Sequence, residues 1–147
     1  MEWTNEQTID APVDVVWQLT TDVTDWPTYM PTVQSVERLD EGPLRMGARA
    51  RIKQPGQRAA VWEVTTFEPG REFSWRSDRR GVSLTGVHRM APDGDGTRNT
   101  LTIEMTGPLA PVMGLLLGPL MRRVLRTENG CFKARAEGRA QEAGALS

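Results

Sequence analysis

Residues 86–111 have the sequence GVHRMAPDGDGTRNTLTIEMTGPLAP, in which two alternating segments flank a turn motif. The turn is Asp93-Gly94-Asp95-Gly96, and these residue types tolerate the positive φ angles that tight hairpins require. On both sides of the turn, apolar and polar residues alternate, which is typical of strands with one buried face. We therefore predict an antiparallel hairpin whose inward side chains are Gly86, His88, Met90, Leu101, Ile103 and Met105.

A long amphipathic helix is predicted directly after this hairpin, from about residue 111 to residue 140. Gly118-Pro119 is expected to kink this helix or to start it, because proline lacks the amide hydrogen of a helix interior. We expect the helix to cover the dry face of the sheet, since it has the length and the apolar surface to do so. Its apolar stripe comprises Leu117, Leu120, Met121, Val124, Leu125, Cys131 and Phe132.

The same alternation extends the first strand of the hairpin to residues 82–90 and predicts further strands upstream, at residues 3–9, 33–39, 48–53, 60–66 and 73–76. Asp10-Ala11-Pro12 favours the start of a short helix that ends near Asp22. Pro27 and Pro31 break the next stretch into a one-turn helix or compact turn. The prediction is an α+β fold: a curved antiparallel sheet of six or seven strands around a long C-terminal helix, with two short helices after the first strand.

Length and composition indicate one domain that does not bind nucleic acid. We expect a single domain over residues 1–140 and a disordered tail at 141–147 of the 147-residue chain. The 18 basic and 19 acidic side chains give a net charge of −1 without long runs of either sign, which argues against nucleic acid as a partner. The single Cys131 cannot form an intrachain disulfide and the N-terminus lacks a signal-like apolar run, so we expect a cytoplasmic location.

Metal and cofactor sites are not expected. One histidine and one cysteine do not supply a zinc-type cluster, and no glycine-rich phosphate loop follows a strand. The sequence does not indicate an oligomeric state.

The longest apolar stretch, residues 109–121, contains two prolines and two glycines and is shorter than the about 20 residues of a membrane span. No membrane span is therefore expected. We interpret the stretch as a buried helix start, with an interfacial membrane contact as the alternative.

Three arginines follow it at positions 122, 123 and 126. We interpret them as a solvated helix face, with docking of an acidic partner as the alternative.

Small residues recur on the predicted dry face, at Ala48, Ala50, Ala60, Thr66 and Gly86. They leave space between sheet and helix, so larger neighbours would line a pocket for an apolar or aromatic molecule. The alternative is that the same side chains interdigitate into a filled core. The predicted ligand-binding residues are Trp26, Trp62, Phe73, Trp75, Leu84, His88, Met90, Leu101, Ile103, Met105, Met113, Leu117 and Met121.

His88 is the candidate catalytic residue, with Tyr29 as its helper. A histidine has an ordinary pKa of about 6.5 and can act as a general acid or base, although a hydrogen-bonded core histidine is the other interpretation. Trp26 and Tyr29 are expected either at the mouth of the pocket or packed against the sheet edge. Arg76 and the other strand cations are assigned to the wet face, but a one-residue register shift would bring an arginine into the pocket.

Three stretches carry a resemblance to a known family: IDAPVDVVWQLTTDVTDWP at residues 9–27, VWEVTTFEPGREFSW at 61–75, and the 86–111 stretch quoted above. With the order of elements, they resemble the START-like, helix-grip (SRPBCC) superfamily, and within it the polyketide cyclase/dehydrase family. The resemblance covers about residues 3–137 and implies the fold predicted above. It does not choose an activity, because members include carriers of lipids and hormones, aromatases and cyclases, and coenzyme Q-binding proteins.

Two functions are therefore weighed for the predicted pocket. The first is binding of a small hydrophobic or aromatic molecule, lipid- or polyketide-like, without catalysis. The second is a polyketide aromatase/cyclase-type enzyme, in which the pocket folds a reactive chain and a few polar groups move protons. A protein-interaction module that uses the long helix or a sheet edge is the third alternative.

Overall fold

The computed structural model of the protein describes residues 1–146, and it describes side chains as far as residue 144. Within this part of the chain seven strands form one sheet: β1 Glu2–Ile9, β2 Ser35–Arg38, β3 Arg49–Lys53, β4 Ala60–Glu68, β5 Glu72–Arg79, β6 Val82–Asp93 and β7 Gly96–Thr106. The helices are α1 Val13–Thr21, a 3₁₀ helix at Val23–Thr28, and α2 Ala110–Leu146. All neighbouring strands are antiparallel, in the order β1-β7-β6-β5-β4-β3-β2. The predicted helix-grip architecture is confirmed.

The β6–β7 hairpin forms as the sequence predicts. Asp93 pairs with Gly96, so Gly94 and Asp95 are the two loop residues. Gly94 has a φ of +61°, a conformation that glycine adopts without the penalty a Cβ atom would bring. From this turn the register runs unbroken to the pair Ser83 and Thr106, which places the alternating apolar residues on one face.

β4 contains an irregularity that the alternation did not reveal. The register shifts between Val64 and Thr66, and beyond the shift Thr66 pairs with Ser74 while Phe67 pairs with Phe73. Paired residues share a face, so Phe67 points inward and Thr66 points outward. The prediction that Thr66 lies on the dry face is therefore wrong. Phe67 packs there against Trp17 of α1, with ring centroids 5.4 Å apart.

α2 lies over one side of the sheet, chiefly against β1 and β7, and α1 packs against both α2 and β6. The helix begins at Ala110, so Gly118-Pro119 does not start it and Pro119 lies in its interior. Gly114 faces the sheet edge, where the Met1 side chain occupies the space that a Cβ atom would take. Asn129 is fully buried and bonds α2 to both β1 and β7.

The first and last turns of α2 can be compared with the sequence predictions for residues 109–121 and 141–147. The first turns are not buried as expected: Val112, Leu115 and Leu116 are 62%, 78% and 72% exposed. The expected burial was wrong because α2 contacts the sheet along one face only, while leucines also occupy its other side. At the far end α2 continues to Leu146. The predicted tail at 141–147 stays a prediction, and Ser147 lies outside the described residues. None of the described helices is long and apolar enough for a bilayer span.

Candidate functional site

The concave face of the sheet holds a cluster of aromatic rings at the end nearest α1. Phe73 of β5 is fully buried and its ring centroid lies 4.9 Å from those of Trp75 and His88. Trp26, from the 3₁₀ helix, contacts Trp75 at 5.5 Å and Phe132 of α2 at 5.9 Å. Trp26 also donates its indole N–H to the Leu19 carbonyl at 3.1 Å. Ring contacts of this kind fill the space, so this half of the predicted pocket is core.

His88 lies inside this aromatic cluster. Its imidazole stacks on Phe73 with an interplanar angle of 4°, and the Trp26 ring lies 5.4 Å away on another side. Burial lowers the pKa of His88 to about 3, because a charged imidazolium would lose its hydration there. Its Nδ1 atom has no hydrogen-bond partner among the described residues. His88 is therefore a neutral imidazole at physiological pH.

Tyr29 is not brought into contact with His88. The Phe132 ring contacts both residues, with its centroid 6.4 Å from that of Tyr29 and 5.9 Å from that of His88. The Arg135 guanidinium lies 5.3 Å from the centre of the Tyr29 ring. Burial raises the pKa of the Tyr29 phenol above its usual value, with a smaller contribution from Asp25 in the same direction. Tyr29 therefore remains a protonated phenol.

Tyr29 borders a surface cleft of about 460 Å³ that runs along the outer side of α2. Its other lining residues are Arg126, Thr127, Gly130, Cys131, Ala134 and Arg135. Burial and the nearby Glu128 raise the pKa of the Cys131 thiol, so the thiol stays protonated. A second cleft of about 520 Å³ lies by Trp17, Arg38 and Phe67 and contains none of the predicted ligand-binding residues.

The end of the concave face near the start of α2 is less completely covered. Leu84 of β6, Ile103 of β7, and Met113 and Leu117 of α2 are partly exposed while packing against the core. Gly86 pairs with Ile103 and also has no side chain to fill the space. We call this region, formed by Leu84, Gly86, Ile103, Met113 and Leu117, the open groove.

Hydrogen bonds from the two flanks of α2 show which edge of the sheet each flank faces. Asn129 and Lys133 bond to β1, with Lys133 Nζ donating to the Thr8 carbonyl at 2.6 Å. Glu128, one residue before Asn129, instead accepts a 3.0 Å bond from the Thr32 hydroxyl, just before β2 at the other sheet edge. Met113 and Leu117 share the flank of Glu128 by helical spacing. They therefore lie on the flank of α2 that is turned away from β1.

The other predicted ligand-binding residues are more deeply buried. Leu101, Met105 and Met90 have exposed fractions of 1–2%, and Met121 of α2 is buried at 8%. Trp62 is also buried, and its ring centroid lies 6.0 Å from that of Trp75. The structure thus separates the predicted set into an aromatic core and a smaller group around the open groove. The role of each residue in binding stays a prediction.

Polar atoms without partners lie beside the open groove, on β4 and β5. The Ser77 hydroxyl and the Trp62 indole N–H are buried and have no hydrogen-bond partner among the described residues. Ser77 pairs with Leu84, so the two side chains share the concave face. Arg79, two residues further on, places its guanidinium 5.7 Å from the centre of the Trp62 ring and donates from Nη1 to Gln57 at 2.7 Å. Its Nε atom has no partner in the described part of the chain.

Sequence reasoning missed Ser77 and Arg79, although the signal was present. Phe73 and Trp75 were placed on the dry face, and continuing the alternation by two steps reaches Ser77 and Arg79. β5 extends to Arg79, whereas the prediction ended at residue 76. Arg76 itself is exposed, as expected. An arginine thus reaches the concave face through a longer strand rather than through a register shift.

Glu128 was also missed. It interrupts the apolar stripe of α2 between Leu125 and Phe132, which is the signal that could have identified it. Burial raises the pKa of its carboxyl group to about 7, and the Thr32 hydrogen bond offsets this in part. A carboxyl group with this pKa exchanges protons near neutral pH, which His88 does not.

In the described part of the chain, no three His, Cys, Asp or Glu side chains are grouped so that they could hold a metal ion. The expectation of a site without metal or cofactor stays a prediction.

Comparison with known proteins shows similarity in sequence and, separately, similarity in structure. The model of the family described as polyketide cyclase/dehydrase and lipid transport matches residues 2–137. A Streptomyces halstedii protein, provisionally named a polyketide cyclase, is 36% identical over 92 residues, which cover 58% of this chain and 71% of that protein.

Solved structures share the fold over nearly the whole chain. The Zhui aromatase/cyclase of Streptomyces sp. R1128 superposes with a TM-score of 0.79 at 22% identity, covering 98% of each chain. A hypothetical protein of Helicobacter pylori gives a TM-score of 0.81 at 16% identity, covering 92% of this chain and 88% of its own. At such identities the likeness establishes the fold alone.

Proposed function

Because the chain belongs to the polyketide cyclase/dehydrase and lipid transport family, we propose that it binds a small hydrophobic or aromatic molecule, polyketide- or lipid-like, in the open groove. The membership confirms the family resemblance of the sequence motifs. The observation that carries the proposal is the pairing of partly exposed apolar side chains with buried, unpaired polar atoms on one concave surface. Ligand sites in proteins combine these two features.

The apolar part of the groove suits a flat or flexible hydrocarbon body. Met113 is unbranched and polarizable, so it can adapt its shape to different ligands. Leu84 and Ile103 supply a floor, and Gly86 adds no side chain to it, so its backbone lies directly beside the Trp75 and Trp62 rings, 3.5–3.8 Å from where a Cβ atom would be.

The polar end favours a ligand that carries a carboxylate, phenolate or carbonyl oxygen. Arg79 supplies a cation there, and the Trp62 N–H supplies a neutral donor. Burial lowers the pKa of Arg79 from its usual value, although the guanidinium remains charged. Buried donors without partners cost free energy, and an oxygen-bearing ligand would relieve that cost.

Calorimetric titration with 2-naphthoate, a two-ring aromatic acid, tests the proposal. Leu84→Trp would fill the floor of the groove and is expected to lower the affinity at least about tenfold. Val61→Trp is the matched control, because Val61 is exposed on the opposite face of β4, next to Trp62. Equal binding by both variants, or no binding by the unmodified protein, would count against the groove.

A polyketide aromatase/cyclase-type activity is the second candidate, and Glu128 is the observation that favours it. Its carboxyl group, with a pKa near 7, lies on the flank of α2 that faces the sheet. His88 is too weak a base for this task, because burial lowers its pKa to about 3. A turnover assay with a reactive poly-β-ketone chain tests this candidate: Glu128→Gln should abolish the dependence of the rate on a group titrating near pH 7.

We further propose a reducing, cytoplasmic location, which the free thiol of Cys131 supports. The protein-interaction alternative stays a prediction.

A further inference from the structure

The start of α2 presents an unusual concentration of exposed apolar side chains. Of the eight large hydrophobic residues exposed among the described residues, five lie between positions 109 and 120. Their exposed fractions range from 46% to 78%. Single exposed leucines are ordinary, but a contiguous patch on one element marks an interaction surface. We call these residues the leucine patch: Leu109, Val112, Leu115, Leu116 and Leu120.

Three members of the leucine patch, Val112, Leu115 and Leu116, point away from the protein. Ala110, Gly114 and Met121 are buried and mark the face of α2 that meets the sheet. At 100° per residue, Val112, Leu115 and Leu116 lie on the opposite side of the helix. Their apolar surface extends for roughly 12 Å along the axis, at 1.5 Å per residue from Val112 to Leu120.

Basic residues continue the same outward face one turn later. Arg122, Arg123 and Arg126 are exposed, and the azimuth of Arg123 falls between those of Val112 and Leu116. Residues 109–127 contain no Asp or Glu, so these three arginines give this part of α2 a charge of +3. Apolar side chains that insert at the headgroup boundary and nearby cations that attract anionic lipids both strengthen the binding of a helix to a membrane surface.

We propose that the leucine patch and the three arginines dock on an anionic lipid surface. The leucines enter the boundary between headgroups and acyl chains, and the arginines pair with lipid phosphates. Met113 and Leu117 lie on the adjacent flank of the same helix, so docking turns the mouth of the open groove toward the lipid. The proposal does not depend on what the groove binds.

A second copy of the chain is a poorer occupant of this surface. In a two-fold symmetric dimer the same patch serves both subunits, so six arginines would lie in or beside one interface without a carboxylate from residues 109–127. Lipid phosphates neutralise these arginines instead. The charge of the surface therefore favours the membrane.

Vesicle flotation tests the proposal with phosphatidylcholine vesicles and with vesicles that also contain about 30% phosphatidylglycerol. We expect the protein to float with the anionic vesicles and to be released by salt. The Leu115→Glu, Leu116→Glu double variant should lose more than about tenfold in partition coefficient, since two leucines no longer insert. Each of Arg122→Gln, Arg123→Gln and Arg126→Gln should lower the partition about fivefold, selectively on anionic vesicles.

Val61→Glu is the control for an added carboxylate, because it places one of the two charges of the double variant on an exposed apolar residue of β4, far from α2 in the sheet order. It should float like the unmodified protein, and circular dichroism melting of every variant separates loss of binding from loss of fold. The proposal is overturned if the unmodified protein stays with the soluble fraction, or if Val61→Glu weakens binding as much as the leucine variants. A dimer in sedimentation that only the leucine variants dissociate, without flotation, would assign the patch to a second copy instead.

Discussion

Replacing Asn129 should destabilise the protein by roughly 3 kcal/mol, because one buried amide connects α2 to two strands. Its Nδ2 group donates toward the Asn5 carbonyl (3.1 Å), the Asn5 Oδ1 atom (3.0 Å) and the Asn99 carbonyl (3.1 Å). Its Oδ1 atom accepts from Asn99 Nδ2 at 2.9 Å. Both Asn99 and Asn129 are fully buried, so water cannot replace these bonds.

The magnitude follows from the bonds that Asn129→Ala removes. Two amide hydrogens and one carbonyl oxygen are lost, and each net hydrogen bond contributes about 1 kcal/mol. For a chain of this length, 1 kcal/mol corresponds to about 2–4 °C in Tm, so we expect a drop of roughly 6–12 °C.

Thermal and urea denaturation measure this effect, and a second variant sharpens the test. Asn129→Asp keeps the shape of the side chain but points a carboxylate at three acceptor oxygens, so it should cost at least as much as Asn129→Ala at pH 7. Gln141→Ala, on an exposed position of α2, is the control and should stay within about 0.5 kcal/mol of the unmodified protein. An Asn129→Asp protein as stable as the original would refute the assigned network.

Three further predictions concern the groove and its surroundings. Folding raises the pKa of Glu128 to about 7 from 4.5, so the folded state holds the proton more tightly than the unfolded state. The free energy of unfolding should therefore fall as the pH rises through that interval. Glu128→Gln should remove on the order of 1–3 kcal/mol of this fall, measured by urea denaturation at about pH 5 and 8. Folding lowers the pKa of His88 to about 3 from 6.5. Its contribution to stability is therefore present above about pH 6.5 and is lost toward pH 3. The NMR signals of this single histidine ring should not titrate between about pH 8 and 5. Arg79→Gln should weaken 2-naphthoate about tenfold or more while leaving neutral 2-naphthalenemethanol within about twofold by calorimetry; an equal loss for both would show that Arg79 acts through packing instead.

The architecture was predictable because each level of the sequence agrees with the next. Alternation in β6 and β7, the Asp93–Gly96 turn between them and the apolar stripe of α2 all favour one arrangement. The bulge in β4 was not predictable from period alone, since one extra residue at Val64–Thr66 reverses the faces that follow.

The candidate site was only partly predictable. Alternation identifies inward residues, but it does not tell which of them pack ring against ring, as Phe73 and His88 do, and which stay partly exposed, as Leu84 does. Similarly, α2 is apolar on nearly all sides near its start, so periodicity could not tell that Leu115 and Leu116 face away from the sheet. That outcome depends on where the helix lies, over β1 and β7, which is a tertiary property.

A methyl-resolved NMR titration with 2-naphthoate tests the proposed binding groove most directly. We expect the shifts to concentrate in the methyl groups of Leu84, Ile103, Met113 and Leu117, while the outward methyl groups of Leu115 do not move. Absence of shifts at saturating ligand, or shifts confined to Ala134 and its neighbours in the cleft beside Tyr29, would contradict it.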